Sequence, residues 1–184
     1  MYEYATQGDL RSFAAQIPVN EQATVRKSAE ERSPSGATFL SHSSKDQDLV
    51  VGAVRLLSGH GATVYIDKKD PSLPPYTTKD TAAGLKKRIQ QSNKFVLLAS
   101  KNSKDSRWVP WELGIADQAK GLNRVAVLPA VDTQADGSWS NWEYLGLYDR
   151  VVWGDLKGYA KKVWMVIDER ENVATELSKW LKNP

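Results

Sequence analysis

The chain of 184 residues contains no cysteine. Disulfides, thiolate metal sites, thiol redox chemistry and a cysteine nucleophile are therefore excluded. Histidine is scarce: His42 and His60 are the only two, too few for most zinc enzymes. Long apolar runs are missing as well. The longest, Val125–Val131, is far short of the roughly 18 residues of a membrane span. The amino terminus, Met1-Tyr2-Glu3, lacks the basic-then-apolar pattern of a leader, so a cytoplasmic protein with no membrane partner is expected. Charge of one sign is not concentrated. Lys+Arg 25 against Asp+Glu 22 leaves +3, spread without a basic stripe, and no nucleic-acid partner is expected. There is no phosphate-binding loop of the Gly-x-x-x-x-Gly-Lys type and no Gly-x-Ser-x-Gly elbow. Gly59-His60-Gly61 precedes an apolar run rather than following one, so it reads as a turn and not as part of a dinucleotide fingerprint.

What is present is alternation. Residues 1–36 form an arm. Leu10, Phe13, Ala14 and Ile17 have helical spacing ended by Pro18, a more polar helix spans 21–31, and Ser33-Pro34-Ser35-Gly36 reads as a linker. Such an arm is either a packing extension or an element for oligomerisation or regulation. From residue 37 onward, apolar runs at 37–41, 62–66, 95–99, 124–131 and 150–153 alternate with helical patterns at 46–58, 78–92 and 108–120. Ser44 and Gln47 have the spacing of a capping box at the start of the first of these helices. The runs are continuously apolar rather than alternating, which predicts a parallel sheet covered on both faces. The tail adds a strand at 163–167 and a short helix at 175–181.

In such a sheet, ligands bind beyond the carboxyl ends of the strands where the strand order reverses. Here those ends are Ser41-His42-Ser43-Ser44, Asp67 with the loop after it, and the segment 100–108. A phospho-acceptor receiver would need carboxylates at positions held by Ser41-His42 and Ala99-Ser100, and is rejected. Trp108-Val109-Pro110-Trp111-Glu112 opens the third helix, because Pro110 is tolerated only in a first turn. Trp108 and Glu112 are then four residues apart on one face, and the helix amino terminus favours an ionised Glu112. By itself this pair could be a buried aromatic beside a solvated carboxylate. Asp67 reads as a strand-end carboxylate or as part of a site, and His42 as a polar loop residue rather than a general base.

Phe39-Leu40-Ser41-His42-Ser43-Ser44-Lys45-Asp46, Val64-Tyr65-Ile66-Asp67, Phe95-Val96-Leu97-Leu98-Ala99-Ser100 and Trp108-x-x-x-Glu112-Leu113 together resemble the ordered boxes of Toll/interleukin-1 receptor (TIR) domains. The last resembles the Trp-x-x-x-Glu motif of the NAD-cleaving members. The resemblance covers residues 37–155 and implies an α/β, flavodoxin-like fold: a five-stranded parallel sheet with helices on both faces. The arm, 1–36, then precedes the domain, and 156–184 forms a strand-helix extension packed on it. The resemblance implies Glu112 as the catalytic glutamate and Trp108 as the aromatic platform. It makes Leu40, Ser41, His42 and Ser43 the lining of the nucleotide pocket, and Asp67 with the loop around Leu73 the second wall and its gate. Some family members carry Arg where Ser43 and Ser44 stand here, so Lys45 and Lys68 become the candidates for phosphate contacts.

Cleaving the nicotinamide–ribose bond passes through an oxocarbenium-like state, and nicotinamide in NAD is already cationic. One carboxylate therefore suffices without an acid partner. NAD is then substrate, with no cofactor and no metal. The competing readings are a non-catalytic TIR adaptor, which need not keep the motif glutamate, and a nucleoside deoxyribosyltransferase, which the Ser-His-Ser-Ser box fits less well. With no second module in the sequence, the chain is similar to the standalone TIR proteins of Thoeris antiphage defence. That implies a cyclic or modified ADP-ribose signal read by a separate effector protein, and self-association through TIR–TIR contacts made by the loop 70–77.

Overall fold

The computed structural model describes residues 1–67, 78–103, 105–106, 108–135 and 145–183. The loop 70–77 with Leu73, and Lys68, lie outside the described residues. The central strands are β3 (Thr38–Ser41), β4 (Val64–Tyr65), β5 (Lys94–Ala99), β6 (Val125–Val131) and β7 (Asp149–Gly154). They pair in parallel in the order β4-β3-β5-β6-β7. Every residue of β3, β5 and β6 is buried, which is why these runs show no polar alternation. Three helices follow the strands: α3 (Gln47–Gly59), α4 (Lys79–Gln91) and α5 (Val109–Lys120). Among the described residues the sheet does not end at five strands. β8 (Val163–Asp168) pairs antiparallel with β7, and β9 (Val173–Glu176) pairs antiparallel with β8.

Strand alternation divides the core in two. Leu40, Val96, Leu98, Ala126 and Leu128 face α3, where Leu49, Val50, Ala53 and Leu57 meet them. Phe39, Phe95, Leu97, Val125 and Val127 face Leu85 and Ile89 of α4 and Val109, Leu113 and Ala116 of α5. Phe39 stacks on Phe95 with ring centroids 5.4 Å apart.

Two short strands were not expected. β1 (Tyr2–Glu3) and β2 (Ala5–Thr6) have two residues each, too few for any periodicity. They enter where β6 and β7 part. β6 pairs with β7 only at Ala126–Asp149 and Val127–Arg150. Beyond that, the end of β6 takes β2 in parallel and the end of β7 takes β1 antiparallel. The chain then turns into α1 (Gln7–Ala15), opened by a capping box of Thr6 and Asp9. After α2 (Val19–Glu31) the chain enters β3.

α1 lies tightly on α3. A Cβ built on Gly52 would come within 1.9 Å of the Leu10 carbonyl oxygen. Alanine is intrinsically better than glycine in a helix by about 1 kcal/mol. Overpacking a backbone contact costs about 1–3 kcal/mol or more, so it outweighs the gain. Gly52→Ala is expected to lower the unfolding midpoint in urea. A midpoint that rises would show that α1 yields without cost.

Asp149, nearly buried at the start of β7, is pushed up to about 6, first by burial and then by the nearby Asp168 carboxylate, against the pull of Arg170. The folded chain therefore holds a proton there that the unfolded chain has lost. Its contribution to stability is greatest below pH 4 and is lost as the pH rises to about 6, by roughly 2 kcal/mol. Asp149→Asn should flatten that part of the profile, measured as urea midpoints at pH 4.5 and 7 for both proteins. Parallel profiles would overturn the assignment.

The tail departs from expectation at one point. Thr175 and Glu176 belong to β9, and α6 spans Leu177–Lys182, with Glu176 accepting from the Lys179 amide at its start. β9 is an edge strand with exposed or half-buried residues, so it carries no apolar signature.

Candidate active site

The strand order reverses between β4 on one side of β3 and β5 on the other. Ser41 ends β3. It shares a face with Phe39, so it points towards α5, whereas Leu40 points into the core beneath α3. Any contact of Leu40 with a ligand is thus through its backbone. Glu112 lies in the first turn of α5 and is 1% exposed. The Ser41 hydroxyl donates to Glu112 Oε2, joining the carboxyl end of the first parallel strand to the amino end of α5. The partial positive charge of that helix end favours the carboxylate.

Trp108 occupies the cap position of α5, Pro110 follows within the first turn, and the Glu112 amide donates to the Trp108 carbonyl at 2.8 Å. The helix begins at Val109, one residue after the start at Trp108 read from the sequence. Trp108 is half-buried and packs against the core on the α4–α5 side. Trp111 meets it edge to face at 5.6 Å and 68°. Both rings therefore have a packing role, and Trp108 keeps an exposed part.

His42 and Ser43 are buried in the turn after β3, while Lys45 is exposed. The Ser43 carbonyl accepts from the Asp46 amide at 3.0 Å, and its hydroxyl accepts from the Lys45 amide at 3.3 Å. Among the described residues, Asp67 caps no backbone amide. Its carboxylate takes the Tyr65 hydroxyl at 2.8 Å and pairs with Arg88 of α4 at 2.7 Å. The Tyr65 hydroxyl is pushed well above the usual tyrosine range, chiefly by burial and then by Asp67. Glu112 adds to that shift, so the Tyr65–Asp67–Arg88 group lies within electrostatic reach of Glu112.

Asp46 was not singled out in the sequence. The Ser44–Gln47 capping box does not form. Instead, the Gln47 side-chain amide donates to the Ser44 carbonyl at 3.0 Å. Asp46 is the cap residue of α3, yet its carboxylate makes no capping bond. It is fully buried and turned to the segment after β5. There it accepts from Ser100 Oγ at 2.8 and 2.7 Å and from Asn102 Nδ2 at 2.6 Å. The sequence offered Ser44 and Gln47 for capping at this helix start, so Asp46 drew no separate reading.

The site is therefore a water-poor carboxylate at a helix amino terminus, beside aromatic rings, at the reversal point of a parallel sheet. The family model described as TIR domain matches residues 38–177, and the chain belongs to that family. Among curated relatives, it is 34% identical over 147 residues to a protein of Bacillus cereus (strain MSX-D12) named "Probable 3' cyclic ADP-D-ribose synthase ThsB'". That match covers 78% of this chain and 74% of the relative. A second relative, from Cytobacillus dafuensis, bears the provisional name cyclic ADP-D-ribose synthase TIR2. It is 25% identical over 118 residues, covering 62% of this chain and 30% of that protein. No helix of the described residues is long and apolar enough to cross a membrane.

Proposed function

We propose that this TIR domain cleaves NAD, releasing nicotinamide and forming ADP-ribose or a cyclic ADP-ribose isomer that serves as an immune signal in antiphage defence. The observation that carries the reading is Glu112, buried in the first turn of α5 and held by Ser41 at the reversal point. The names of the two relatives agree with it.

The bond between nicotinamide N1 and ribose C1′ breaks with its electron pair going to nicotinamide, which leaves neutral. Positive charge develops on C1′ and the ring oxygen. A fixed carboxylate in a site shielded from water stabilises that charge far more than it could in solvent. Glu112 fills that role, with Ser41 fixing the direction of its carboxyl group. Trp108 presents a ring for stacking on a flat base. Attack on C1′ by water then gives ADP-ribose; attack by a group of the same molecule gives a cyclic isomer and releases a proton. NAD is substrate in this scheme, and no resident cofactor or metal is required. Self-association through TIR–TIR contacts, a cytoplasmic location and a separate effector that binds the product complete the reading.

Incubation of the protein with NAD, followed by mass spectrometry, tests it. Nicotinamide should appear in step with NAD loss, together with ADP-ribose or a species one water lighter. NAD left intact over a hundredfold range of protein concentration would reject the activity.

A further inference from the structure

Asp46 is a buried carboxylate that the scheme above does not use. Among the described residues no cation lies within ion-pair distance of it; its partners are neutral donors. A buried carboxylate that must be satisfied by hydroxyl and amide donors is an expensive way to join two loops, since apolar packing would serve stability as well or better. The bonds around it link the two loops. The Asn102 amide donates to Ser100 Oγ at 3.0 Å, and Ser100 Oγ donates to Asp46. Asn102 Nδ2 returns to the same carboxylate. The Ser100 amide donates to Ser103 Oγ at 3.1 Å, which donates to the Leu98 carbonyl at 3.1 Å. The Ser106 amide continues to the Ser103 carbonyl at 3.1 Å, and Ser106 Oγ accepts from the first amide of α5, Val109, at 3.3 Å. On the other side, the Asp46 amide is tied to the Ser43 carbonyl in the turn that carries His42.

We propose that Asp46 is a positioning residue for NAD cleavage. By locking the segment after β5 to the turn after β3, it sets where α5 begins and holds Trp108 and Glu112 opposite Ser41. The geometry explains why this cap residue does not cap: its carboxylate has been turned to the neighbouring loop. Catalytic groups need such support, because a misplacement of about 1 Å can cost on the order of a hundredfold in rate.

The proposal rests on the activity proposed above, so the test has one readout with substrate and one without. The variants are Asp46→Asn, Ser100→Ala, and the exchanged pair Asp46→Asn with Asn102→Asp, which reverses donor and acceptor but keeps the bond. Kinetics are measured well below each melting temperature. A merely structural role reduces the number of folded molecules, scaling the apparent kcat and leaving KM unchanged. A positioning role moves both. KM for NAD is expected to rise about fivefold and kcat/KM to fall about tenfold or more in the single variants, with partial recovery in the exchanged pair. Amide hydrogen exchange reads the same lock without NAD: exchange at Ser100, Asn102, Ser103 and Ser106 and in the first turn of α5 should quicken while the middle of α3 stays protected. If Asp46→Asn does not fold, Ser100→Ala, which removes one hydroxyl and no charge, carries both measurements. An unchanged KM, or unchanged exchange at Ser100, Asn102, Ser103 and Ser106 in a folded variant, overturns the proposal. A wild-type protein inert to NAD overturns the activity instead, and the exchange result still decides for or against the lock.

Discussion

Glu112→Gln is expected to fold as the wild type does and to lose NAD cleavage by ~10²-fold or more, the range seen when one group stabilising transition-state charge is removed. The substitution is nearly isosteric. Glutamine keeps an oxygen that can accept from the Ser41 hydroxyl, the bond that now ends on Glu112 Oε2. What disappears is the negative charge facing the developing positive charge on the ribose. Because Glu112 is 1% exposed, solvent cannot replace that charge. The buried carboxylate also has a desolvation cost that glutamine lacks, so stability should stay level or rise. Nicotinamide release at saturating NAD, with melting temperature measured in parallel, checks both halves. A variant that cleaves NAD at a rate near the wild type would remove Glu112 from the mechanism. A variant that unfolds would show that the charge, and not the bond to Ser41, holds α5 in place.

The parallel core was legible because its strands are buried on both faces. The run at 95–99 differs from β5 only by Lys94, and the run at 124–131 differs from β6 only by Arg124. The apolar face of α3 was legible from the helical spacing of its apolar residues, among them Leu49, Val50, Ala53 and Leu57. The sequence failed where structure rests on partners distant in the chain. β1 and β2 exist only because β6 and β7 separate and leave backbone groups to be satisfied, and two-residue strands carry no pattern of their own. β9 is specified by pairing with β8 rather than by burial. Of the candidate site, the spacing of Trp108 and Glu112 was readable within one helix turn. The Ser41–Glu112 bond, which spans 71 positions, had only a motif to suggest it. Leu40 illustrates the period of two: its neighbour Ser41 faces the site, so its own side chain must face the core. Asp46 was missed because the capping role at this helix start was assigned to Ser44 and Gln47, and its partners Ser100 and Asn102 lie 54 and 56 positions away in the chain.

Trp108→Ala should weaken NAD turnover without a matching loss of fold. An aromatic ring stacked on a base contributes about 1–3 kcal/mol, which corresponds to a fall of about 5- to 150-fold in kcat/KM. The competing account is that Trp108 is simply core. The structure gives that account some weight, since the ring packs against the α4–α5 core and meets Trp111 edge to face. The two accounts differ in magnitude. A fully buried tryptophan cut to alanine costs about 3–5 kcal/mol of stability, and a half-buried one at a helix cap correspondingly less. Trp111 provides the internal control, being the ring's neighbour in the same turn of α5 and half-buried like it. Trp111→Ala should cost comparable stability and leave kcat/KM within a few-fold of wild type. Trp108→Phe should recover much of the turnover, because a smaller ring still offers a face. If both alanine variants lose stability alike and turnover alike, per folded molecule, then Trp108 acts through packing alone and the platform beside Glu112 must be sought elsewhere.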